Sequence, residues 1–258
     1  MKKRPHVLVV AGSDSSGGAG IVRDIETLAA FDVKASVAVT AVTVQTHQGV
    51  QHVDAVPAER VAQQMLAALS ANHVDAIKIG MLATAATIVA VTSVLTDHPD
   101  IPVVFDPVFA STSGGVLLPP DAIASLHRLF RQCALLTPNL PELSHLTAAG
   151  RQSAEDAITQ ARHLVATGVK AVLVKGGHGD GLESVDILVQ AGHAIQCFRA
   201  PRLAVSMRGT GCMLASAISA RLACGNNLVT AVSDAKTFVH DRLGGSGASE
   251  KPSMIEQE

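Results

Sequence analysis

The chain has 258 residues, of which 48% are apolar, and it carries a formal net charge of −2. That is enough apolar sequence for one large α/β domain, and the near balance of charge together with the absence of Trp and Tyr argues against a nucleic-acid partner. No segment is apolar for long enough to span a membrane or to act as an export signal, and the four cysteines form no CxxC pair, so we expect a cytoplasmic protein with reduced thiols.

Strands and helices alternate along the chain, and many strands end in Gly or polar residues. This pattern predicts a doubly wound, mostly parallel sheet with helices on both faces, in one domain over residues 1–243 followed by a loose tail at 244–258. The predicted strands are 7–11, 37–44, 74–79, 103–105, 134–136 and 171–174, with a hairpin of 187–189 and 195–198; the predicted helices are 21–31, 58–71, 84–95, one from about 120, 153–167, 213–223 and 228–243.

The first strand leads into a glycine-rich loop, Gly12 to Gly20. The loop lacks the Lys of a Walker A sequence and the GxGxxG spacing of a dinucleotide fold. Its glycines still allow the backbone to approach a small ligand closely at the carboxyl end of a strand.

A second glycine-rich stretch has the features of an anion-binding loop. Arg208-Gly-Thr-Gly-Cys212 precedes the Ala-rich helix at 213–223. Its glycines allow a tight turn that points several N–H groups at one position, and the helix dipole adds attraction for negative charge. We expect Cys212 in the first helical turn, where the dipole lowers the pKa of the thiol. A proton acceptor beside an anion site indicates group transfer to a hydroxyl; an inert residue before a buried helix is the alternative.

Other polar side chains follow the predicted strands. Gln45 offers a donor and an acceptor, which suits the edge of a heterocycle, although a solvated loop residue is the alternative. Asp106 follows the strand at 103–105, where α/β folds place ligand groups, and a capping role is the alternative. Asn139 and Glu142 are spaced to share a metal, water and phosphate cluster, or to cap a helix together. The residues alone therefore predict an α/β domain that binds a small phosphate-bearing molecule.

Seven stretches together resemble the hydroxymethylpyrimidine/phosphomethylpyrimidine kinases of thiamine biosynthesis, in the ribokinase superfamily, over roughly residues 7–243. In chain order they are AGSDSSGGAG from Ala11, TAVTVQT ending at Thr46, KIGML from Lys78, DPV from Asp106, TPNLPE from Thr137, KGGH from Lys175 and GTGC from Gly209. The resemblance implies a ribokinase-like fold with no separate lid domain, the use of ATP and Mg²⁺, and a homodimer. It further implies transfer of the γ-phosphoryl group to 4-amino-5-hydroxymethyl-2-methylpyrimidine, and usually to the resulting monophosphate.

The resemblance also implies which residues bind the pyrimidine. Gln45 would read the aminopyrimidine edge, and Gly12 and Asp24 would help to hold the same ring. Met81 and Val108 would make apolar contacts with it.

For the transfer itself, the resemblance implies that Cys212 is the base for the hydroxyl group. The backbone N–H groups of Gly209, Thr210, Gly211 and Cys212 would stabilise the transferring phosphoryl group.

The resemblance places the metal and the nucleotide near three further motifs. Asp106 and Glu142 would organise Mg²⁺ and its waters, with Asn139 beside them. Lys175 and Gly177 would lie where the nucleotide binds.

Two positions depart from the usual motifs of the family. Thr112 stands where most members have Lys in the loop after DPV, and Arg208 stands where most have His before GTGC. Loss of a Lys near the phosphates puts the second phosphorylation in question, and we expect Arg208 to restore positive charge there, because its planar fork suits phosphate. Two alternatives stay open: a pyridoxal or pyridoxine kinase of the same superfamily, and a catalytically silent pyrimidine-binding protein.

Overall fold

The computed structural model describes residues 4–110, 115, 117–148, 154–177 and 181–246, and in these residues it contains one nine-stranded sheet. The strands are β1 (His6–Asp14), β2 (Lys34–Gln45), β3 (Val50–Ala55), β4 (Ala76–Ile79), β5 (Val103–Phe105), β6 (Leu135–Leu136), β7 (Ala171–Val174), β8 (Glu183–Gln190) and β9 (Gln196–Pro201). The helices are α1 (Gly20–Ala30), α2 (Ala58–Ala71), α3 (Ala85–Thr96), α4 (Leu126–Phe130), α5 (Leu140–Thr147), α6 (Ala154–Ala166), α7 (Thr210–Ala223) and α8 (Leu228–Ser246), with a 3₁₀ helix at Pro120–Ser125.

The strand order is β3-β2-β1-β4-β5-β6-β7-β8-β9. The strands from β2 to β7 in this order pair in parallel, whereas β3 at one edge and β8 and β9 at the other are antiparallel. The chain leaves β1 in one direction to form β2 and crosses over to form β4 on the other side. In open α/β sheets, ligands bind outside the carboxyl ends of the strands at such a switch point. The predicted fold class is confirmed.

Both faces of the sheet are covered, which explains why the central strands are apolar at almost every position. Alternate residues of β1 point to opposite faces. Leu8 and Val10 join a core with Met65 of α2 and with α3 to α6, while Val7 and Val9 join a second core beneath α1 and α7. The helices of the second face bring the glycine-rich loop before α7 to the carboxyl end of β1.

Several predicted elements differ from the structure by a few residues at one end, and the segment after Asn139 forms an additional helix, α5. The chain forms an unpredicted antiparallel strand, β3, whose residues are mostly exposed and therefore lack an apolar pattern. The predicted helix near residue 120 begins as a 3₁₀ helix before α4. The tail does not begin at Gly244, because α8 continues to Ser246; residues 247–258 lie outside the described residues. Across the described ranges, no helix is both long enough and apolar enough to cross a membrane.

Candidate active site

The stretch from Gly209 to Cys212 forms the start of α7. Gly209 is the N-cap of the 14-residue helix and has a φ of 74°. A Cβ at this position would lie 2.4 Å from the carbonyl oxygen of Gly18, so both the backbone angle and the space require glycine. Cys212 lies in the first turn, as predicted, and the residues of that turn, whose N–H groups have no acceptor within a helix, line the same cavity as Cys212.

The predicted direction of the Cys212 pKa is wrong. Burial raises the pKa of the half-buried thiol to about 11, and the carboxylates of Asp24 and Asp106 act in the same direction. The ammonium group of Lys78 and an N–H group of Gly20 oppose this effect without overcoming it. Removal of the thiol from water therefore outweighs its favourable position at the helix N-terminus.

The loop at the start of α7 borders a cavity of about 700 Å³. All but one of the predicted site residues line this cavity. They are Gly12, Gln45, Met81, Asp106, Val108, Asn139, Glu142, Lys175, Gly177, Arg208, Gly209, Thr210, Gly211 and Cys212. The carboxyl ends of six strands and the N-termini of two helices, α5 and α7, thus contribute to one continuous space.

At one end of the cavity, Gln45 is held in place through its backbone. The hydroxyl of Ser15 accepts a hydrogen bond from the Gln45 N–H at 2.8 Å and donates one to the Gln45 carbonyl at 2.8 Å. The side-chain oxygen of Gln45 accepts only a long hydrogen bond, from the Thr43 hydroxyl at 3.3 Å. Gly12 and Met81 also line the cavity, and the Met81 sulfur lies so close to Gly12 that a Cβ there would be 3.0 Å from it. This end, which we call the amide end, therefore offers one polar edge and apolar contacts.

Asp24 is the one predicted site residue that does not line the cavity, because it is fully buried beneath it. Its two carboxylate oxygens each lie 2.8 Å from the ammonium nitrogen of Lys78, and one of them also accepts a hydrogen bond from Ser216 of α7. A direct contact of Asp24 with a ring is therefore not supported by this arrangement. Sequence reasoning gave no role to Lys78, although a lysine within an apolar strand was a signal that it has a buried partner.

On the other side of the loop, Lys175 joins two carboxylates. Its ammonium nitrogen lies 2.6 Å from an oxygen of Asp106 and 3.5 Å from an oxygen of Glu142. These two carboxylates raise the pKa of Lys175 well above its ordinary range, although burial alone would lower it. A Cβ on Gly211 would lie 3.2 Å from the Lys175 nitrogen and 3.4 Å from Asp106, so this charged cluster contacts the loop directly.

Asn139 and Glu142 form a capping box at the start of α5. The Asn139 side chain accepts a hydrogen bond from the Glu142 N–H at 2.8 Å, and the Glu142 carboxylate accepts one from the Asn139 N–H at 2.7 Å. The capping alternative is confirmed, and it leaves one Glu142 oxygen free of the box. Burial raises the pKa of Glu142, as does Asp106.

Further along the cavity, ionisable residues that sequence reasoning missed lie on β8, α8 and the segment after β9. Lys236 is 2.9 Å from Asp186, which also accepts a hydrogen bond from the Gly176 N–H. Arg202 donates to the carbonyls of Gly177 at 2.7 Å and Gly181 at 2.8 Å. These residues are far apart in the chain and follow no motif, so only the fold reveals them. Together with the cluster around Lys175 they form what we call the charged end of the cavity.

Arg208 lies at the amide end, beside the turn that follows Gln45. Its guanidinium group is 3.2 Å from Asp14 and donates to the Ser16 hydroxyl and to the Thr46 carbonyl. A nucleotide contact through Arg208 therefore lacks structural support. Thr112, the other departure from the family's motifs, lies outside the described residues.

The charged end also bears on the predicted metal. Among the residues that the structure describes, no group of three or more His, Cys, Asp or Glu side chains is arranged to hold a metal ion. Asp106 and Glu142 nevertheless fit Mg²⁺, which takes oxygen ligands and usually binds through one or two carboxylates together with substrate phosphates.

Comparison with known proteins gives a consistent result. The family model described as phosphomethylpyrimidine kinase matches residues 14–251. A hydroxymethylpyrimidine/phosphomethylpyrimidine kinase of Rhizobium meliloti is 42% identical over 240 residues, which are 90% of this chain and 88% of that protein. The thiamine biosynthesis bifunctional protein ThiED of Geobacter sulfurreducens is 42% identical over 92% of this chain, and the chain spans 48% of the length of that relative.

Among solved structures, pyridoxal kinase from Bacillus subtilis in an ADP complex superposes with a TM-score of 0.84. It is 28% identical in sequence, and the match covers 92% of this chain and 90% of the other.

Proposed function

The chain belongs to the phosphomethylpyrimidine kinase family, and we propose that it transfers the γ-phosphoryl group of ATP to 4-amino-5-hydroxymethyl-2-methylpyrimidine and then to the resulting monophosphate. The observation that carries this proposal is the position of the loop from Gly209 to Cys212. It lies between an end that offers an amide edge with apolar contacts and an end that holds paired charges. A planar heterocycle suits the first end and a nucleotide suits the second.

We propose that the loop stabilises the phosphoryl group during transfer. The charge of that group spreads over its oxygens in the transition state, and the N–H groups of a helix N-terminus can donate hydrogen bonds to those oxygens. The substrate hydroxyl would form the new P–O bond as its proton passes to the Cys212 sulfur and ADP departs with the old bond. Because burial raises the pKa of the Cys212 thiol to about 11, the thiol is mostly protonated at neutral pH, and we propose that positioning and charge carry a large part of the transfer.

The charged end would receive the nucleotide. Lys175 stays protonated and would lie beside the phosphates, and Gly177, where added bulk would meet open space, would border the nucleotide with Asn139. Asp106 and Glu142 would hold Mg²⁺, which neutralises charge on the phosphates when bound.

The test is release of ADP with ATP and Mg²⁺ present, with the pyrimidine alcohol, its monophosphate and pyridoxal offered separately. We expect turnover of both pyrimidines. A preparation of Cys212→Ala made in the same way controls for a contaminating kinase. Silence of the wild type with both pyrimidines would overturn the proposal.

Pyridoxal phosphorylation is the second candidate, because the fold superposes closely on a pyridoxal kinase at a TM-score of 0.84. Pyridoxal has a ring and a hydroxymethyl group of similar shape, so the same cavity could accept it. The ratio of kcat/KM for the pyrimidine alcohol to that for pyridoxal decides between the two. We expect the pyrimidine to be favoured, because the Gln45 amide matches the donor and acceptor of an aminopyrimidine edge.

We also propose that the protein is a cytoplasmic homodimer. Val42 and Val44 of β2 are each about half exposed, at 51% and 49%, and lie side by side on one face near the sheet edge. All four cysteines are free, which suits a reducing compartment. Light scattering on the wild type and on Val42→Asp would test the dimer. The same monomeric mass for both proteins would overturn the proposal.

A further inference from the structure

Arg208 joins segments of the chain that are far apart in sequence. One terminal nitrogen of its guanidinium group donates to the Ser16 hydroxyl at 2.9 Å and to the Thr46 carbonyl at 3.1 Å. The other terminal nitrogen donates to an Asp14 oxygen at 3.2 Å. Asp14 is the last residue of β1, Ser16 lies in the loop that follows it, and Thr46 belongs to the turn between β2 and β3. Arg208 immediately precedes the loop at the start of α7, and its side chain therefore links both segments to that loop.

The partners of Arg208 are themselves ordered by short contacts. The Asp14 oxygen that Arg208 does not contact accepts hydrogen bonds from the Ser16 N–H at 2.9 Å and the Ser16 hydroxyl at 2.7 Å. The Asp14 side chain is 4% exposed and that of Arg208 is 18% exposed. A charged pair so far removed from water is held in a fixed geometry, unlike an ion pair on an open surface.

The same contacts fix Gln45 from both sides. Its N–H and carbonyl are bound by the hydroxyl of Ser15, which lies between Asp14 and Ser16. The carbonyl of the next residue, Thr46, is bound by Arg208. The position of the Gln45 amide in the cavity therefore depends on the segments that Arg208 joins.

Close packing transmits this position to the loop of α7. A Cβ on Gly18 would lie 3.1 Å from a terminal nitrogen of Arg208, and a Cβ on Gly209 would lie 2.4 Å from the Gly18 carbonyl oxygen. Gly18 thus fills the space between the arginine and the loop. A shift of the Arg208 side chain would therefore displace both the amide end and the loop.

We propose that Arg208 is a positioning residue that holds the Gln45 turn in register with the phosphoryl-binding loop, so that the ring and the hydroxymethyl group of the substrate are aligned at the same time. This inference rests on the proposed function. It replaces the expectation that Arg208 supplies charge to a phosphate, because its charge is paired with Asp14 and its terminal nitrogens are occupied.

The experiment measures binding by titration calorimetry, with the pyrimidine alcohol, its monophosphate and ADP as separate ligands. The proteins are the wild type, Arg208→Ala, Asp14→Asn and the double variant. Arg199→Ala is the matched control, since Arg199 forms an exposed ion pair with Glu183 and is 61% exposed. Hydrogen exchange at the amides of residues 45–49 is followed in the same proteins.

If Arg208 positions the turn, Arg208→Ala weakens both pyrimidines by the same factor, about tenfold or more, and changes ADP affinity by less than about twofold. Asp14→Asn weakens them in the same direction by less and adds nothing in the double variant, because the two residues act as one unit. Exchange at residues 45–49 becomes faster in Arg208→Ala and stays unchanged in Arg199→Ala. Asp14→Asn carries the test alone if Arg208→Ala does not fold.

Three results would overturn the inference. Weakening of the monophosphate alone would show a phosphate contact instead. Equal weakening of ADP and the pyrimidines would show a general structural role, and unchanged affinities would show no role. Failure of the wild type to bind either pyrimidine is a separate outcome, because it would remove the proposed function itself.

Discussion

The two ends of the cavity use ionisable side chains in different ways. At the amide end, the charges of Arg208 and Asp14 neutralise each other, and the two side chains hold the neighbouring backbone in place. The polar group that remains available to a ligand is the neutral amide of Gln45. At the charged end, Lys175 contacts Asp106 and Glu142 directly beside the backbone of the loop. Charge is therefore paired and fixes the backbone at the first end, whereas at the second end it lies directly beside the phosphoryl-binding loop.

This difference has a consequence for recognition. A neutral heterocycle is selected by shape and by hydrogen bonds in a preformed slot, which binds through fixed geometry. Under the proposed function, the charged end would bind the nucleotide and its cation with charges that exchange partners, because Asp106 and Glu142, which now contact Lys175, would hold Mg²⁺. Substitutions at the two ends should consequently have different effects. Those at the amide end should change pyrimidine affinity, and those at the charged end should change nucleotide affinity or turnover.

The largest effect is expected at Asp106. Asp106→Asn keeps the size of the side chain but removes the charge that faces Lys175 and the predicted cation. We expect kcat to fall about 10²- to 10³-fold with little change in the KM for the pyrimidine. Steady-state kinetics check this, with Asp54→Asn as the control, because Asp54 is exposed on β3. A change mainly in the pyrimidine KM would contradict the division between the two ends.

The next effect concerns Cys212, which lies between the ends. If the thiol with a pKa of about 11 is the base, kcat rises up to about tenfold per pH unit between pH 6 and 9, because the thiolate fraction grows as pH approaches the pKa from below. Cys212→Ala should lower kcat about 10- to 100-fold near pH 9 and remove the slope. Cys212→Asp should be active with a flat profile, since its carboxylate is already charged. A wild-type slope that survives in Cys212→Ala would exclude the thiol as the base.

A smaller effect is expected at Gln45. Gln45→Ala removes the amide edge and leaves the Ser15 contacts to the backbone intact. The KM for the pyrimidine should rise about tenfold, the cost of one lost pair of hydrogen bonds, and the KM for ATP should not change. Initial rates at varied pyrimidine and ATP measure both values. An unchanged pyrimidine KM would mean that the ring does not lie against Gln45.

The smallest effect is expected in stability at the capping box. Asn139→Ala removes the acceptor for the Glu142 N–H and should lower the free energy of unfolding by about 1 kcal/mol. Urea unfolding measures this, and Asn139→Asp, which can still accept, should lose less. A loss of ATP affinity in Asn139→Ala larger than in Asn139→Asp would show that the amide also contacts the nucleotide.

The sequence indicated the site residues that follow strands or precede helices. Asp106 and Lys175 could be found because the carboxyl ends of parallel strands meet at one edge of a sheet, and Gly209 because a tight turn before a helix needs glycine. The partners of these residues could not be found in that way. Arg208 and Asp14 are 194 positions apart, and no local pattern links them.

The pKa of Cys212 shows a second kind of limit. Its place in the first helical turn was predictable from the sequence, but its burial and the two nearby carboxylates depend on α1 and β5. The position at the helix N-terminus alone would lower the pKa of the Cys212 thiol, and the tertiary environment raises it instead. The same limit applies to Asp24, because its ion pair with Lys78 joins two residues 54 positions apart and depends on the tertiary structure.

The most direct test of the two-ended cavity is a crossed binding measurement. Calorimetric titrations with the pyrimidine alcohol and with ADP plus Mg²⁺ would be made on the wild type, on Gln45→Ala and on Lys175→Gln. The account predicts that Gln45→Ala weakens only the pyrimidine and Lys175→Gln weakens only ADP, each about tenfold. Loss of both ligands in either variant, or an exchange of the two effects, would contradict it.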